Sequence, residues 1–345
     1  MTKYEYRIYK MKKATNIAII GATGLVGKSF LELLESDHFL DSKIHLVASN
    51  KSKGQEVSFR NSAHVVSSLE DFDFLNINLV FFSAGAEVAR KYAPLAVREG
   101  CFVVDNSSCF RKEESIPLIV PEVNGETLTV NSIPGIVANP NCQTIQMVVA
   151  LKPLHDLFVI NRIDVTTFQA VSGSGKLAKD ELTLQIGQEL KGETLSSNIY
   201  NKQIAFNALP QCGDFEENSY TQEEMKMVWE THRILDPNIE VGATCVRVPV
   251  VNGHSESIHI ETREPITIDS VKKCLREAKG VNLISGEGSE SYITAVEIDG
   301  TDQVHVGRLR MDLWNKKRIN LWVVADNLRK GAALNSIQIA EILFN

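Results

Sequence analysis

The sequence predicts an α/β chain in two parts, a parallel sheet flanked by crossover helices and then an α+β unit around a largely antiparallel sheet. Three observations carry that expectation. Short apolar strands alternate with helix-period segments up to Asn139, the signature of βαβ units. Beyond about Ile160 the strands lengthen and β-branched residues recur at period two, as in a half-exposed antiparallel sheet. The length, 345 residues, also exceeds what a single core usually fills.

The elements follow in order. Asn16–Ile20 reads as a buried strand that runs into the glycine-rich turn GATGLVG and then a helix carrying Phe30, Leu31, Leu33 and Leu34. Apolar strands are expected at Ile44–Ala48, Leu79–Ser83 and Phe102–Asp105, with a helix over Glu87–Glu99 ended by Gly100; parallel strands joined this way take right-handed crossovers. In the second part VINRIDVTTFQAVSG, VGATCVRVPVV, SESIHIETRE and INLWVVAD read as strands. Helices are expected over Cys142–Leu157, Thr221–Leu235, Ser270–Lys279 and Asn327–Leu343, and Gly187–Glu217 reads as a loop-rich insertion. The expected division is residues 1–139, residues 140–326, and a C-terminal helix over 327–345 that returns to the first domain. Met11 opens MKKATNIAIIGATG, so residues 1–10 read either as an upstream extension or as a mis-called start. There is no internal repeat.

Composition narrows the function. The chain is 43% hydrophobic and 23% charged, with 36 Lys plus Arg against 43 Asp plus Glu and a net charge of −7. That balance gives no basic face for nucleic acid or a membrane surface. The six cysteines (Cys101, Cys109, Cys142, Cys212, Cys245 and Cys274) form no C-x-x-C pair, which points to reduced thiols in a cytoplasm, with no metal site expected. No apolar run approaches the roughly 18 residues of a membrane-spanning helix, and Met1–Lys13 lacks the apolar stretch of a signal peptide.

Gly21, Gly24 and Gly27 form G-x-x-G-x-x-G directly after a strand and at the opening of a helix. Glycines there let the backbone approach a pyrophosphate, and the helix N-terminus offers free N–H groups. The first domain is therefore expected to be Rossmann-like. The second strand ends in ASNKSKG, with Ser49, Lys51, Ser52 and Lys53 and no acid before Glu56. Hydroxyls and a cation suit a 2′-phosphate better than the ribose-binding acid of many NAD enzymes, so NADP is the expected cofactor.

The segment ANPNCQTIQMVVALKPL places Cys142 at the start of an apolar helix after a turn, where the helix dipole and free amides favour a thiolate. Gln169 ends a strand before the close-approach loop Ala-Val-Ser172-Gly173-Ser174-Gly175. Arg247 lies mid-strand in TCVRVPV among residues expected to be buried, so it needs an anionic partner and suits a carboxylate. His254 follows a turn, available as acid or base. Arg111 follows DNSSCF at the ligand-binding end of the first sheet, and Glu223 and Lys226 share one face of a predicted helix. Each alone has a plainer reading as a core thiol, a turn histidine or an ion pair. Together they do not.

The combination resembles bacterial aspartate-β-semialdehyde dehydrogenases over nearly the whole chain from Met11, through GATGLVG, DNSSCFR, ANPNCQT, TFQAVSGSG, EEMKM, TCVRVPV…GHSES and WVVADNLRKGAALNS. The resemblance implies an NADP-dependent oxidoreductase that reduces L-aspartyl 4-phosphate to L-aspartate 4-semialdehyde in lysine, methionine, threonine and diaminopimelate biosynthesis. It implies Cys142 as the acyl-thioester nucleophile, His254 as the acid/base and Gln169 as the residue orienting the acyl group. Arg247 would hold the substrate carboxylate, Glu223 its amino group, and Arg111, Lys226 and Asn141 phosphate. Thr23, Gly24, Leu25, Val26, Ser49, Lys51, Ser52, Ser172, Gly173 and Asn327 match cofactor contacts, and a homodimer through the second domain's sheet is expected. Related members often carry Arg where this chain has Lys51, which keeps the charge but not the planar fork. Two rivals remain: another cysteine-based acyl-phosphate reductase of the N-acetylglutamyl-phosphate type, and a non-catalytic NADP-binding paralogue.

Overall fold

The computed structural model describes residues 16–36, 38–128 and 134–344; the expected extension over 1–10 lies outside them. The first sheet contains β1 (Asn16–Ile20), β2 (Lys43–Ala48), β5 (Ser67–Ser68), β6 (Leu79–Phe82), β7 (Phe102–Asp105) and β8 (Ile136–Ala138) in the order β5-β2-β1-β6-β7-β8. Every pairing is parallel. Period two sorts its residues into two cores. Ile17, Ile19, Leu79, Phe81 and Val104 pack beneath α1 (Leu25–Ser36) and the C-terminal helix. Ala18, Ile20, Val80, Phe82 and Val103 face α2 (Ala86–Arg98), whose Ala89, Ala93 and Ala96 let it lie close. A hairpin that the sequence reading missed, β3 (Glu56–Phe59) with β4 (Ser62–Val65), projects after β2, and the short α3 (Pro121–Asn124) precedes β8.

The second sheet contains β9 (Ile160–Gln169), β10 (Glu240–Arg247), β11 (His254–Thr262), β12 (Val281–Leu283), β13 (Val304–Met311) and β14 (Arg318–Ala325), ordered β10-β9-β11-β14-β13-β12. Its central pairings are antiparallel, as expected. Both edge pairings, β10 with β9 and β12 with β13, are parallel. β12 and β13 escape the sequence pattern because β12 is short and β13 carries a register shift between Gly307 and Arg310. Bulges of this kind break the period-two alternation.

The helices α4 (Cys142–Phe158), α6 (Gln222–Ile234) and α7 (Ile268–Glu277) fall close to their predicted spans. The helix α5 (Lys176–Leu190) was not predicted and overlaps the start of the expected insertion. Its buried face carries Glu181 and Gln185 beside Ala178 and Leu182, so no apolar stripe marks it. Those two polar side chains bind the loop that follows. Glu181 accepts the amides of Asn198 and Ile199, and Gln185 those of Ile204 and Ala205.

At the C-terminus a π-helical stretch, Arg329–Ala333, leads into α8 (Leu334–Phe344), and Leu334, Ile337 and Ala340 pack in the first sheet's core. Buried Lys330 ties this return to α3 through Glu122 at 2.7 Å. Among the described residues no helix is long and apolar enough to cross a membrane.

Candidate active site

Asn141 caps α4, its side-chain oxygen accepting the Gln143 amide at 3.1 Å, which places Cys142 as the helix's first residue. Gln169 and Arg247 end β9 and β10 as register partners. His254 opens β11 opposite Ala325, the last residue of β14. The four positions form the last row of the sheet's core face. Arg247 thus stands at a strand end rather than mid-strand.

The thiol corrects one expectation. Burial, with a further contribution from Glu223, raises the Cys142 pKa to about 12 against the opposing pull of Arg111, Arg247 and the Gln143 amide. The helix start therefore does not produce a resting thiolate, because desolvation outweighs it. The Sγ–H instead donates to Gln143 Oε1 at 3.0 Å. Gly331 packs on the thiol's other side: a Cβ built there would stand 2.8 Å from the Cys142 Cβ.

His254 is fully buried, and its Nδ1 accepts the Ala170 amide at 2.9 Å. That contact assigns the ring proton to Nε2, which has no partner among the described residues. Burial first, then Arg247, lowers the His254 pKa to about 3. The resting ring is a neutral donor aimed into the site. Gly173 lies against it; a Cβ there would sit 3.1 Å from Nε2 and 3.2 Å from an Arg247 nitrogen.

Arg247 is buried and donates through Nη1 to the Ala170 carbonyl at 2.6 Å, leaving Nε without a partner. Among the described residues no carboxylate pairs with it, so the anion that its burial calls for is not supplied by the fold. Gln169 is buried and accepts the Thr167 hydroxyl at 3.1 Å.

One face of α6 carries Glu223, Lys226 and Glu230. Lys226 pairs with Glu223 at 2.8 Å, and Asn141 Nδ2 donates to the same carboxylate at 2.8 Å. Burial raises the Glu223 pKa, but Lys226 and Asn141 outweigh it and hold the value at about 2. Glu230 was missed by sequence reading: it pairs with Arg111 at 3.2 Å and accepts the Asn141 amide at 2.7 Å. Its spacing from Glu223 and Lys226 was the available signal. Gln143 and Gly331 were missed as well, although both lie inside segments already singled out.

Most of the expected cofactor positions lie at the first sheet, whereas Ser172, Gly173 and Asn327 lie in loops of the second domain. Gly21 has φ +91, and a Cβ on it would meet the Ser83 carbonyl at 2.7 Å; one on Gly27 would meet the Gly21 carbonyl at 2.3 Å. Only glycine fits this cradle. Gly24 completes the turn, and Leu25 and Val26 open α1, whose first amides have no intrahelical acceptor. The Thr23 and Ser52 hydroxyls lie 3.3 Å apart. Ser49 precedes a 3₁₀ turn that carries Lys51 outward, whereas Lys53 is engaged by Asp71 at 2.7 Å. Asn327 ties two loops of the second domain together, donating to the Ser172 hydroxyl at 2.9 Å and accepting the Gly253 amide at 2.9 Å.

A glycine cradle at a parallel sheet's switch point, joined to a buried row of polar strand ends, defines the class as a two-domain dehydrogenase of the nicotinamide-dependent kind. Residues 16–130 match the model "Semialdehyde dehydrogenase, NAD binding domain", and residues 151–330 match "Semialdehyde dehydrogenase, dimerisation domain". The aspartate-semialdehyde dehydrogenase of Shewanella violacea is 51% identical over 96% of this chain and 98% of its own. The crystal structure of aspartate semialdehyde dehydrogenase II from Vibrio cholerae, complexed with ASA, superposes with a TM-score of 0.91 at 47% identity, covering 96% of this chain and 98% of that one. The Candida albicans enzyme, solved with NADP, gives 0.74 at 26% identity over 96% and 98%. The chain belongs to the aspartate-semialdehyde dehydrogenase family.

Proposed function

We propose that this enzyme reduces L-aspartyl 4-phosphate to L-aspartate 4-semialdehyde through a thioester on Cys142, with NADP as its cofactor. The observation that carries the reading is Arg247, a buried guanidinium with no carboxylate partner among the described residues, in the last row of the sheet beside His254. A substrate α-carboxylate satisfies it. Glu223, kept ionised by Lys226 and Asn141, takes the α-ammonium group.

Cys142 Sγ attacks the acyl carbon, the C–O bond to phosphate breaks, and the thiol proton leaves with the phosphate. Lys226 and Arg111 stabilise that dianion, Lys226 by exchanging Glu223 for phosphate, with Asn141 beside them. NADPH supplies a hydride to the thioester carbon when bound. His254 Nε2–H donates a hydrogen bond to the resulting oxyanion while Gln169 holds the acyl group. The C–S bond then breaks, the aldehyde leaves and the thiolate regains a proton from solvent. The glycine cradle, Thr23, Ser49, Lys51, Ser52, Ser172, Gly173 and Asn327 would hold the dinucleotide, Lys51 and the hydroxyls supplying a charge and hydrogen bonds suited to a 2′-phosphate.

The domain division falls after Asn139 and after Asp326. The homodimer forms through the outer face of the second sheet, where the rings of Phe168 and Trp322 lie tilted against each other with centroids 5.6 Å apart. The six free cysteines favour a reducing cytoplasm. The test measures phosphate-dependent oxidation of the semialdehyde with NADP and NAD side by side. NADP should be preferred, and Lys51→Ala should erode the preference by about fivefold through loss of one charge contact. Equal use of both cofactors, or turnover without phosphate, overturns the reading, and faster turnover of N-acetylglutamyl phosphate replaces it.

A further inference from the structure

Directly beneath the row of Arg247, Gln169 and His254 lies a second row that is also polar. Cys245 pairs with Thr167 across β10 and β9, and Thr167 with Glu256 across β9 and β11; Val323 of β14 completes it. The row below that, Ala243, Val165, Ile258 and Leu321, is wholly apolar. Glu256 thus stands at the boundary between site and core, with no exposed surface.

Among the described residues neither of its carboxyl oxygens makes a hydrogen bond of good geometry, and the one polar side chain that approaches it is Gln146. Burial raises its pKa well above the ordinary carboxyl value, outweighing an opposing pull from the Gln146 side chain. The titratable groups nearest it in the sheet are His254, two residues earlier on β11, and Cys245 in the same row two strands away. Neither supplies a positive charge at rest. An isolated buried carboxylate is among the costliest groups a fold can hold, whereas the protonated acid also carries a donor.

A matching acceptor lies above it. Gln146, on α4 one turn beyond Cys142, faces the Glu256 carboxyl. Its Nε2 donates to the His254 carbonyl at 3.4 Å, and its Oε1 has no partner. A proton on Glu256 turns one of its oxygens into a donor and gives the Gln146 Oε1 a hydrogen bond to accept. We propose that Glu256 is an uncharged carboxylic acid bonded to Gln146, and that this strut is a positioning device linking the helix of Cys142 to the strand of His254. Thr167 plays a parallel part under Gln169. The proposal rests on the reading of Cys142 and His254 as the reacting pair.

The intact enzyme decides it. Infrared difference spectra of wild type against E256Q should show a protonated-carboxyl carbonyl band at neutral pH; its absence overturns the neutral assignment. Because glutamine is isosteric and uncharged, E256Q should keep kcat, KM and the pH profile, with rates within about twofold of wild type, whereas E256L should lose about tenfold in kcat per titratable thiol with KM nearly unchanged. E256Q failing as badly as E256L overturns neutrality, and an E256L enzyme with full kcat per thiol overturns the positioning role. If E256L does not fold, the infrared band and E256Q still decide. Retention of turnover by Cys142→Ser would instead strike the underlying reading of the site, leaving the infrared result intact.

Discussion

The two sheets use their strand ends in opposite ways. At the parallel sheet the ends present backbone: glycines, a turn and the first amides of α1, all within seven residues from Gly21 to Gly27. At the mixed sheet they present side chains, and the row of Gln169, Arg247, His254 and Ala325 is assembled from four strands that span much of the second half of the chain. A dinucleotide's pyrophosphate is recognised by shape and dipole, which one local turn provides. A reacting carbonyl needs several chemically different groups converging, and only strand pairing across long sequence separations can bring them together.

This contrast can be broken by substitution, and the largest effect belongs to the side-chain row. Cys142→Ser should lower turnover by about a thousandfold or more, since a hydroxyl is a far weaker nucleophile here. Dinucleotide binding followed by fluorescence should survive. Loss of both together would show that the two regions are not separable.

Arg247→Lys keeps the charge but not the planar fork, and should cost about a hundredfold in kcat/KM for the amino-acid substrate. The dinucleotide's KM should stay put. Gly27→Ala should do the reverse. A methyl group at a backbone contact of 2.3 Å forces the cradle open, raising the dinucleotide's KM about tenfold while the alkylation rate of Cys142 is unchanged. An altered alkylation rate would mean that the cradle also shapes the thiol site.

The smallest effect is on stability. The His254 pKa is lowered to about 3 from 6.5 in the fold, so the unfolded chain takes up this proton first. Its contribution is complete above pH 6.5 and is lost as pH falls from 6.5 toward 3. Glu223, lowered from 4.5 to about 2, contributes above pH 4.5 and loses that contribution only below it. Thermal melts between pH 6.5 and 4.5 should therefore have a shallower slope in His254→Asn than in wild type, and equal slopes would contradict the buried neutral ring.

Much of the fold was legible because its signals are local. β1, α2, α4 and α6 each carry their own periodicity and punctuation, and the cradle glycines announce themselves by position. α5 was invisible because Glu181 and Gln185 turn inward to bind a loop, and β13 because a bulge at Gly307 breaks the alternation. In each case a tertiary contact chose the residue, against the rule that reveals an isolated element.

By itself the sequence determined the two-part α/β plan, the glycine turn that shapes the cofactor cradle, and the set of polar residues that had to be satisfied somewhere. Tertiary structure decided which of them meet. It paired Arg111 with Glu230, left Arg247 without a carboxylate among the described residues, turned His254 Nε2 into the site, and desolvated the Cys142 thiol so that its pKa rises. Charge state and hydrogen-bond partnership depend on distance and desolvation in three dimensions, and neither is written in the order of residues along the chain.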